Sequence, residues 1–214
     1  MLISKFLAQQ LRKPTGLFGW LIMGSLLNRG NSRINELVLQ NLDLNPADQV
    51  LEIGFGGGYL LEKLIKRVKT GCVTGIDLSP EMVSAARFRF RSALSKGICC
   101  LHIGSVESLP FDENCFTKVC TVNTIYFWSN LSDGFREIAR VLSPGGVLAV
   151  GFSDENTLKQ SSFAQHNFLL YTPEQIQEAL SMNGFTSIEV LRDANEQTGL
   201  LCILAQKRET LELR

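Results

Sequence analysis

The chain of 214 residues predicts an α/β fold, an open and largely parallel sheet with helices on both faces. Two observations lead to it. Strand-like apolar runs alternate with segments of helical periodicity along most of the sequence. The first such strand also runs straight into a loop with glycine at 54, 56, 57 and 58, and then into a helix. A third observation breaks the alternation. Near the end, two strand-like runs follow one another across a short polar loop, which predicts an antiparallel hairpin at a sheet edge.

Taken in order, Ser32 is placed to cap a helix that bears Ile34, Leu37 and Val38 and ends near Asn41. Residues 49–53 form the first strand. Leu60, Leu61, Leu64, Ile65 and Val68 then share one face of the first crossover helix. Residues 72–76 are the second strand. Ser79 follows as an N-cap with Pro80 at the first helical position, and this helix runs to about Leu94. Residues 98–103 and 116–121 give strands three and four. A helix carrying Phe135, Ile138, Ala139 and Leu142 ends at Pro144-Gly145-Gly146, ahead of a fifth strand at 147–152. Thr172-Pro173-Glu174-Gln175 reads as a capping box for a helix to Met182, closed by Asn183-Gly184. Residues 186–191 and 200–205 form the hairpin.

Composition narrows the partners. The 21 basic and 21 acidic residues cancel without a long run of either sign, so no nucleic-acid footprint is expected. None of the six cysteines (Cys72, Cys99, Cys100, Cys115, Cys120 and Cys202) forms C-x-x-C. They read as small buried hydrophobes, reduced, in a cytoplasmic protein. His102 and His166 have no cysteine pair at ligand spacing, so no metal site is expected. The apolar run LFGWLIMGSLL at 17–27 is about half the length of a membrane span. It reads as a buried or capping helix without stable membrane insertion, with transient contact to a membrane surface or a greasy substrate as the alternative. The expected organisation is a cap or lid region at 1–31, a domain at 32–207 and a tail at 208–214.

The spacing of the glycines selects the ligand. A dinucleotide fingerprint, G-x-G-x-x-G, needs glycine at 59, where this chain has Tyr59. The run fits acid-x-G-x-G-x-G through Glu52, Gly54, Gly56 and Gly58, and this pattern resembles motif I of the class I S-adenosylmethionine-dependent methyltransferases. Asp77 closes the second strand 19 residues after Gly58. A carboxylate there can accept hydrogen bonds from both hydroxyls of a ribose. Leu78 and Met82 beside it offer apolar surface to an adenine. In the resembling family the turn after strand three commonly carries an aspartate that accepts from the adenine amino group. This chain has Ser105 there, followed by Val106. A neutral bond at that point is worth about 1 kcal/mol, against about 1.5–3 for a charged one.

Leu109-Pro110-Phe111 and Leu142-x-Pro144-Gly145-Gly146 match the family's later stretches in order. The terminal hairpin resembles its sixth and seventh strands. Spanning about 32–207, the resemblance implies a Rossmann-like three-layer sandwich, with a seven-stranded, mostly parallel sheet whose last strand is antiparallel. It further implies S-adenosyl-L-methionine as cofactor. Glu52, Gly54, Phe55, Gly56, Gly58 and Tyr59 would then surround the methionyl end, and Asn123 and Thr124 would face the transferring methyl. More narrowly, the chain looks like the small stand-alone members that methylate small molecules, as a monomer or homodimer.

Methyl transfer from a sulfonium is an in-line displacement whose chief demands are alignment at about 3–3.5 Å and exclusion of water. The Asn123-x-x-Tyr126 spacing resembles the Asn-Pro-Pro-Tyr signature of amino-group methyltransferases that act on nucleobases, without its prolines. Tyr126 and Trp128 are substrate-pocket candidates, and Phe127 reads as packing. An oxygen or carbon acceptor would need a base, for which His166 and Tyr171 are the candidates. Phe18, Trp20, Phe163 and Phe168 are placed to form an apolar lid favouring a hydrophobic or aromatic acceptor. Two rivals remain. One is a non-catalytic S-adenosylmethionine-binding module or partner subunit. The other is a nicotinamide-dependent oxidoreductase, disfavoured by Tyr59 and the hairpin.

Overall fold

The computed structural model describes residues 31–160 and 169–209. Seven strands form one sheet: β1 (Gln49–Ile53), β2 (Cys72–Asp77), β3 (Cys99–Ile103), β4 (Phe116–Val122), β5 (Leu142–Ser153), β6 (Phe185–Arg192) and β7 (Leu200–Lys207), in the order β3-β2-β1-β4-β5-β7-β6. Pairings among β1 to β5 are parallel, whereas β7 runs antiparallel to both β5 and β6. The hairpin therefore inserts its second strand inside the sheet and leaves β6 on the rim.

The helices are α1 (Ser32–Asn41), α2 (Tyr59–Arg67), α3 (Pro80–Arg89), α4 (Arg91–Ser95), α5 (Leu131–Val141), α6 (Glu155–Gln160) and α7 (Pro173–Met182). Strand alternation sends the central side chains to two apolar layers. Leu51, Ile53, Val119 and Leu148 join Phe135, Ile138, Ile176 and Leu180 on one face. Val50, Val73 and Cys120 join Val38, Leu60, Leu64 and Met82 on the other. The structure is thus the three-layer, Rossmann-like sandwich that the sequence predicts.

Several boundaries differ for identifiable reasons. Asn31, not Ser32, occupies the N-cap of α1. The expected single helix to Leu94 breaks at Phe90, whose backbone (φ −100°, ψ 19°) leaves the helical region as its ring turns inward beneath the glycine loop. Leu142 is not the last helical residue but the first of β5, paired with Phe116. The Pro144-Gly145-Gly146 segment lies within the register shift before Lys118 meets Val147. The expected cap at Ser79 forms, its Oγ accepting from Met82 N–H at 3.3 Å, and the Thr172/Gln175 capping box is complete. Cys99, Cys120 and Cys202 are buried as expected, whereas Cys100 and Cys115 are exposed, Cys100 because its strand β3 is an edge. His166, the apolar run at 17–27 and the aromatic residues Phe18, Trp20, Phe163 and Phe168 lie outside the described residues. No helix among those described is long and apolar enough to cross a membrane.

Candidate functional site

The carboxyl ends of the adjacent strands β2, β1 and β4 meet on one rim of the sheet, where open α/β proteins place their ligands. The ladder continues one residue past β1, β3 and β4. Gly54 N–H donates to the Ile76 carbonyl at 2.7 Å, Gly104 N–H to that of Asp77 at 3.1 Å, and Asn123 N–H to that of Gly151 at 2.8 Å. Three loops are thereby held side by side.

The first loop turns by left-handed steps at Gly54 (φ 71°), Gly56 (φ 49°) and Gly58 (φ 73°). Glycine is required at 54 for a second reason. A Cβ there would stand 2.4 Å from Thr124 Cγ2, because Thr124 closes directly over it. At Gly58 a Cβ would stand 3.0 Å from the inward-turned Phe90 ring. Gly58 N–H bonds to the Phe55 carbonyl at 2.8 Å, and Phe55 itself is buried against Gly75.

Asp77 has a double engagement. Oδ2 accepts from Gly56 N–H at 2.8 Å and Oδ1 from Ser79 N–H at 2.9 Å, so this carboxylate ties the glycine loop to the start of α3. Asp77 thus orders this loop. A carboxylate has about four acceptor sites, which leaves capacity for further donors. Burial raises the Asp77 carboxyl, and its backbone donors oppose that rise.

Glu52 is a different kind of acid. It is 4% exposed, and its Oε2 is a buried oxygen without a hydrogen-bond partner among the described residues. Burial first, and the charge of Asp77 second, push its carboxyl up to about 8.

The two apolar residues expected beside an adenine, Leu78 and Met82, are placed differently from one another. Leu78 is exposed at the rim, but Met82 is buried in the layer beneath, with its N–H capped by Ser79. Val106 is buried in the opposite layer. Ser105 Oγ bonds to the Glu107 carboxylate, whose other oxygen accepts from Ser129 N–H at 2.9 Å and Ser129 O–H at 2.8 Å. The turn therefore carries an acid after all, two residues on, tying it to the loop after β4.

That loop is placed differently from expectation. Tyr126 and Trp128 turn into the core, and Phe127 is the half-exposed member. Trp128 packs edge-on to Phe135, in a space that opens because position 134 is glycine. Tyr126 Oη accepts from Ser153 N–H at 2.6 Å and lies 3.3 Å from Asn123 Oδ1. Burial raises its phenol further above the ordinary range, so Tyr126 serves as a strut between β4 and β5. Tyr171 is half-buried, two residues after Leu169 N–H bonds to the Tyr126 carbonyl at 3.2 Å. Asn123 adopts φ 54° and donates to Asn31 Oδ1 at 3.1 Å, joining α1 to the site. Thr124 and Thr121 share a hydroxyl contact, and Thr121 donates to the Ile53 carbonyl at 2.9 Å. Tyr59 leans away towards α1, its hydroxyl on Glu36 at 2.9 Å and Lys63 over its ring.

Sequence reasoning missed Asn35. It is a buried amide on the face of α1 that otherwise carries Ile34, Val38 and Leu39. A polar residue inside that apolar stripe was the available signal.

Comparison with known proteins names the family. A family model described as "Methyltransferase domain" matches residues 51–150. The uncharacterized methyltransferase YdaC of Bacillus subtilis (strain 168) is 31% identical over 149 residues, which covers 68% of this chain and 80% of that protein. The chain belongs to the class I S-adenosylmethionine-dependent methyltransferases. Among solved structures, this methyltransferase superposes with a TM-score of 0.76 on one from a complex between the Haloferax volcanii Trm112 methyltransferase activator and a methyltransferase. That match is 19% identical and covers 87% of this chain and 94% of the other. A geranyl diphosphate methyltransferase in complex with GPP and sinefungin matches at 0.69, with 16% identity over 85% of this chain and 80% of its own. At such identities the likeness is one of fold.

Proposed function

We propose that this methyltransferase binds S-adenosylmethionine at the glycine loop and transfers its methyl group to a small, apolar or aromatic acceptor in the cytoplasm. The observation that carries the reading is the pair of dissimilar acids at one rim. Glu52 offers a buried oxygen without a partner, suited to a cation, while Asp77 is a hydrogen-bonded carboxylate with acceptor sites to spare. Between them the left-handed glycines leave backbone where a Cβ would collide. Those features fit the methionyl ammonium, the ribose hydroxyls and the methionyl carboxylate respectively. The cofactor supplies the electrophilic methyl carbon.

The chain's own part is to bind, align and exclude water. Asp77 and Leu78 hold the nucleoside, Ser105 with Val106 borders the adenine, and Gly54, Gly56 and Gly58 with the N-terminus of α2 receive the methionyl end. Asn123 and Thr124 face the methyl, braced by Tyr126. For an acceptor that must lose a proton, Tyr171 and His166 are the groups we assign. A non-catalytic binding module remains the second reading, favoured by Ser105 standing where the family commonly has an aspartate.

Equilibrium dialysis with labelled S-adenosylmethionine and with NAD tests the cofactor, and tight NAD binding alone would overturn the proposal. A labelled-methyl screen against metabolite extracts tests turnover, and cofactor binding without any labelled product favours the binding module. Asp77→Ala should weaken cofactor binding at least tenfold, a loss of about 1.4 kcal/mol. An unchanged dissociation constant in a folded variant would reduce Asp77 to a loop tie.

A further inference from the structure

Glu52 has a property that cofactor recognition alone does not use: it is a buried acid, and among the described residues nothing stabilises its charge. Its position on β1 pairs it with Gly75 of β2 and Cys120 of β4, on the layer that holds Val50 and Val73. The titratable groups around it are few. β2 contributes Asp77, β3 the Cys99 thiol and β4 the Cys120 thiol, which has Cys202 of β7 beside it. All three thiols are pushed upward by burial and stay neutral. Glu36 of α1 is taken by Lys63 and Tyr59 of α2. Glu62 of α2 is taken by Lys66 and Arg89. Among the described residues no cation acts on Glu52.

Two carboxyl groups at one buried site do not both ionise cheaply, and hydrogen bonds decide which one does. Asp77 has the N–H groups of Gly56 and Ser79 on its two oxygens. Glu52 Oε2 has none. The charge therefore settles on Asp77 and the proton on Glu52, in keeping with a Glu52 carboxyl raised to about 8. An arriving ammonium reverses that balance.

We propose that S-adenosylmethionine binding expels a proton from Glu52 to solvent, converting a neutral buried acid into the anionic partner of the ligand's ammonium. The step conserves charge, since one proton leaves as one cationic group enters, and no electron pair changes owner. It rests on the cofactor reading above. Its consequence is that affinity for the methyl donor responds to pH across the physiological range, with weaker binding as the solution becomes more acidic.

Isothermal titration calorimetry of the full chain with S-adenosylmethionine at pH 6.5, in two buffers of different ionisation enthalpy, reads the proton directly. The ligand's own α-amino group ionises near 7.7–8.0 and stays charged there. The expected release is about one proton per ligand, with the dissociation constant falling about tenfold per pH unit between 5.5 and 6.5. In Glu52→Gln the release should drop to near zero. If that variant does not fold, the infrared difference spectrum of the wild type should still lose a protonated-carboxyl band on binding.

Binding without proton release, or a release unchanged in a folded Glu52→Gln protein, would overturn the proton linkage and leave the cofactor assignment standing. So would an infrared spectrum that keeps its carboxyl band. Absence of binding in both calorimetry and dialysis would overturn the two together.

Discussion

Glu52 also affects stability, because a proton held only in the folded state links folding to pH. Burial raises its carboxyl from the ordinary 4.5 to about 8, whereas the unfolded chain releases the proton near the ordinary value. The contribution is fully present below the unfolded value and is lost as pH rises through about 8. Glu52→Gln has no such proton to lose. Thermal melts of the ligand-free proteins from pH 5 to pH 8 should therefore diverge in the variant's favour, by on the order of 3 kcal/mol across that window. A constant difference would mean that Glu52 is already ionised in the folded protein. The ion-paired glutamates tell against a rival explanation. Glu36, Glu62 and Glu137 are all lowered by cationic partners, so their contributions are present above the ordinary carboxylate range and fade only at acid pH, below this window.

At the scale of elements, the glycine loop is specified by its neighbours as much as by its own backbone. Gly54 and Gly97 share the same φ of 71°, yet a Cβ at Gly97 would meet none of the described residues within 4 Å. Gly97→Ala should therefore cost only the left-handed strain, about 1–2 kcal/mol. Gly54→Ala adds the collision with Thr124 Cγ2, and should cost at least about 1 kcal/mol more. Thr124→Ser removes that methyl while keeping the hydroxyl that meets Thr121. The double variant should recover most of the difference, which urea unfolding of the four proteins measures as a coupling energy. Additive costs would mean that the two loops do not touch.

The pair also marks what a sequence can convey. Strand, glycine turn and helix are legible because each is local in the chain, and β1 appears in the structure with the bounds expected of it. That Thr124 sits on Gly54 is not legible, since β4 is paired beside β1 only by the sheet order. The same holds for Tyr126 and Trp128. Their aromatic character signals either a pocket or a core, and only the glycine at 134 and the amide of Ser153 decide for the core.

For the whole molecule, the rim matters because it belongs to the centre of one sheet. β1 lies between β2 and β4, and its side chains feed both apolar layers, so a ligand resting on these three strand ends grips the element that the two cores share. The far edge is tied in as well: Arg33 of α1 reaches Asp193 beyond β6 with Nη2 on Oδ1 at 2.7 Å, while neighbouring Asn31 holds Asn123 at the site. Stabilisation by the cofactor should consequently appear in the global transition and not in a loop alone. A ligand at 100 times its dissociation constant adds about 2.7 kcal/mol to the folded state. For a chain of this length that is a rise of about 5–11 °C in Tm. Far-UV circular dichroism melts with S-adenosylmethionine should show that shift as a single displaced transition, and melts with NAD should show none. A split transition, with only part of the signal moving, would show that the sheet does not unfold as one unit and that the rim is coupled to β1, β2 and β4 alone.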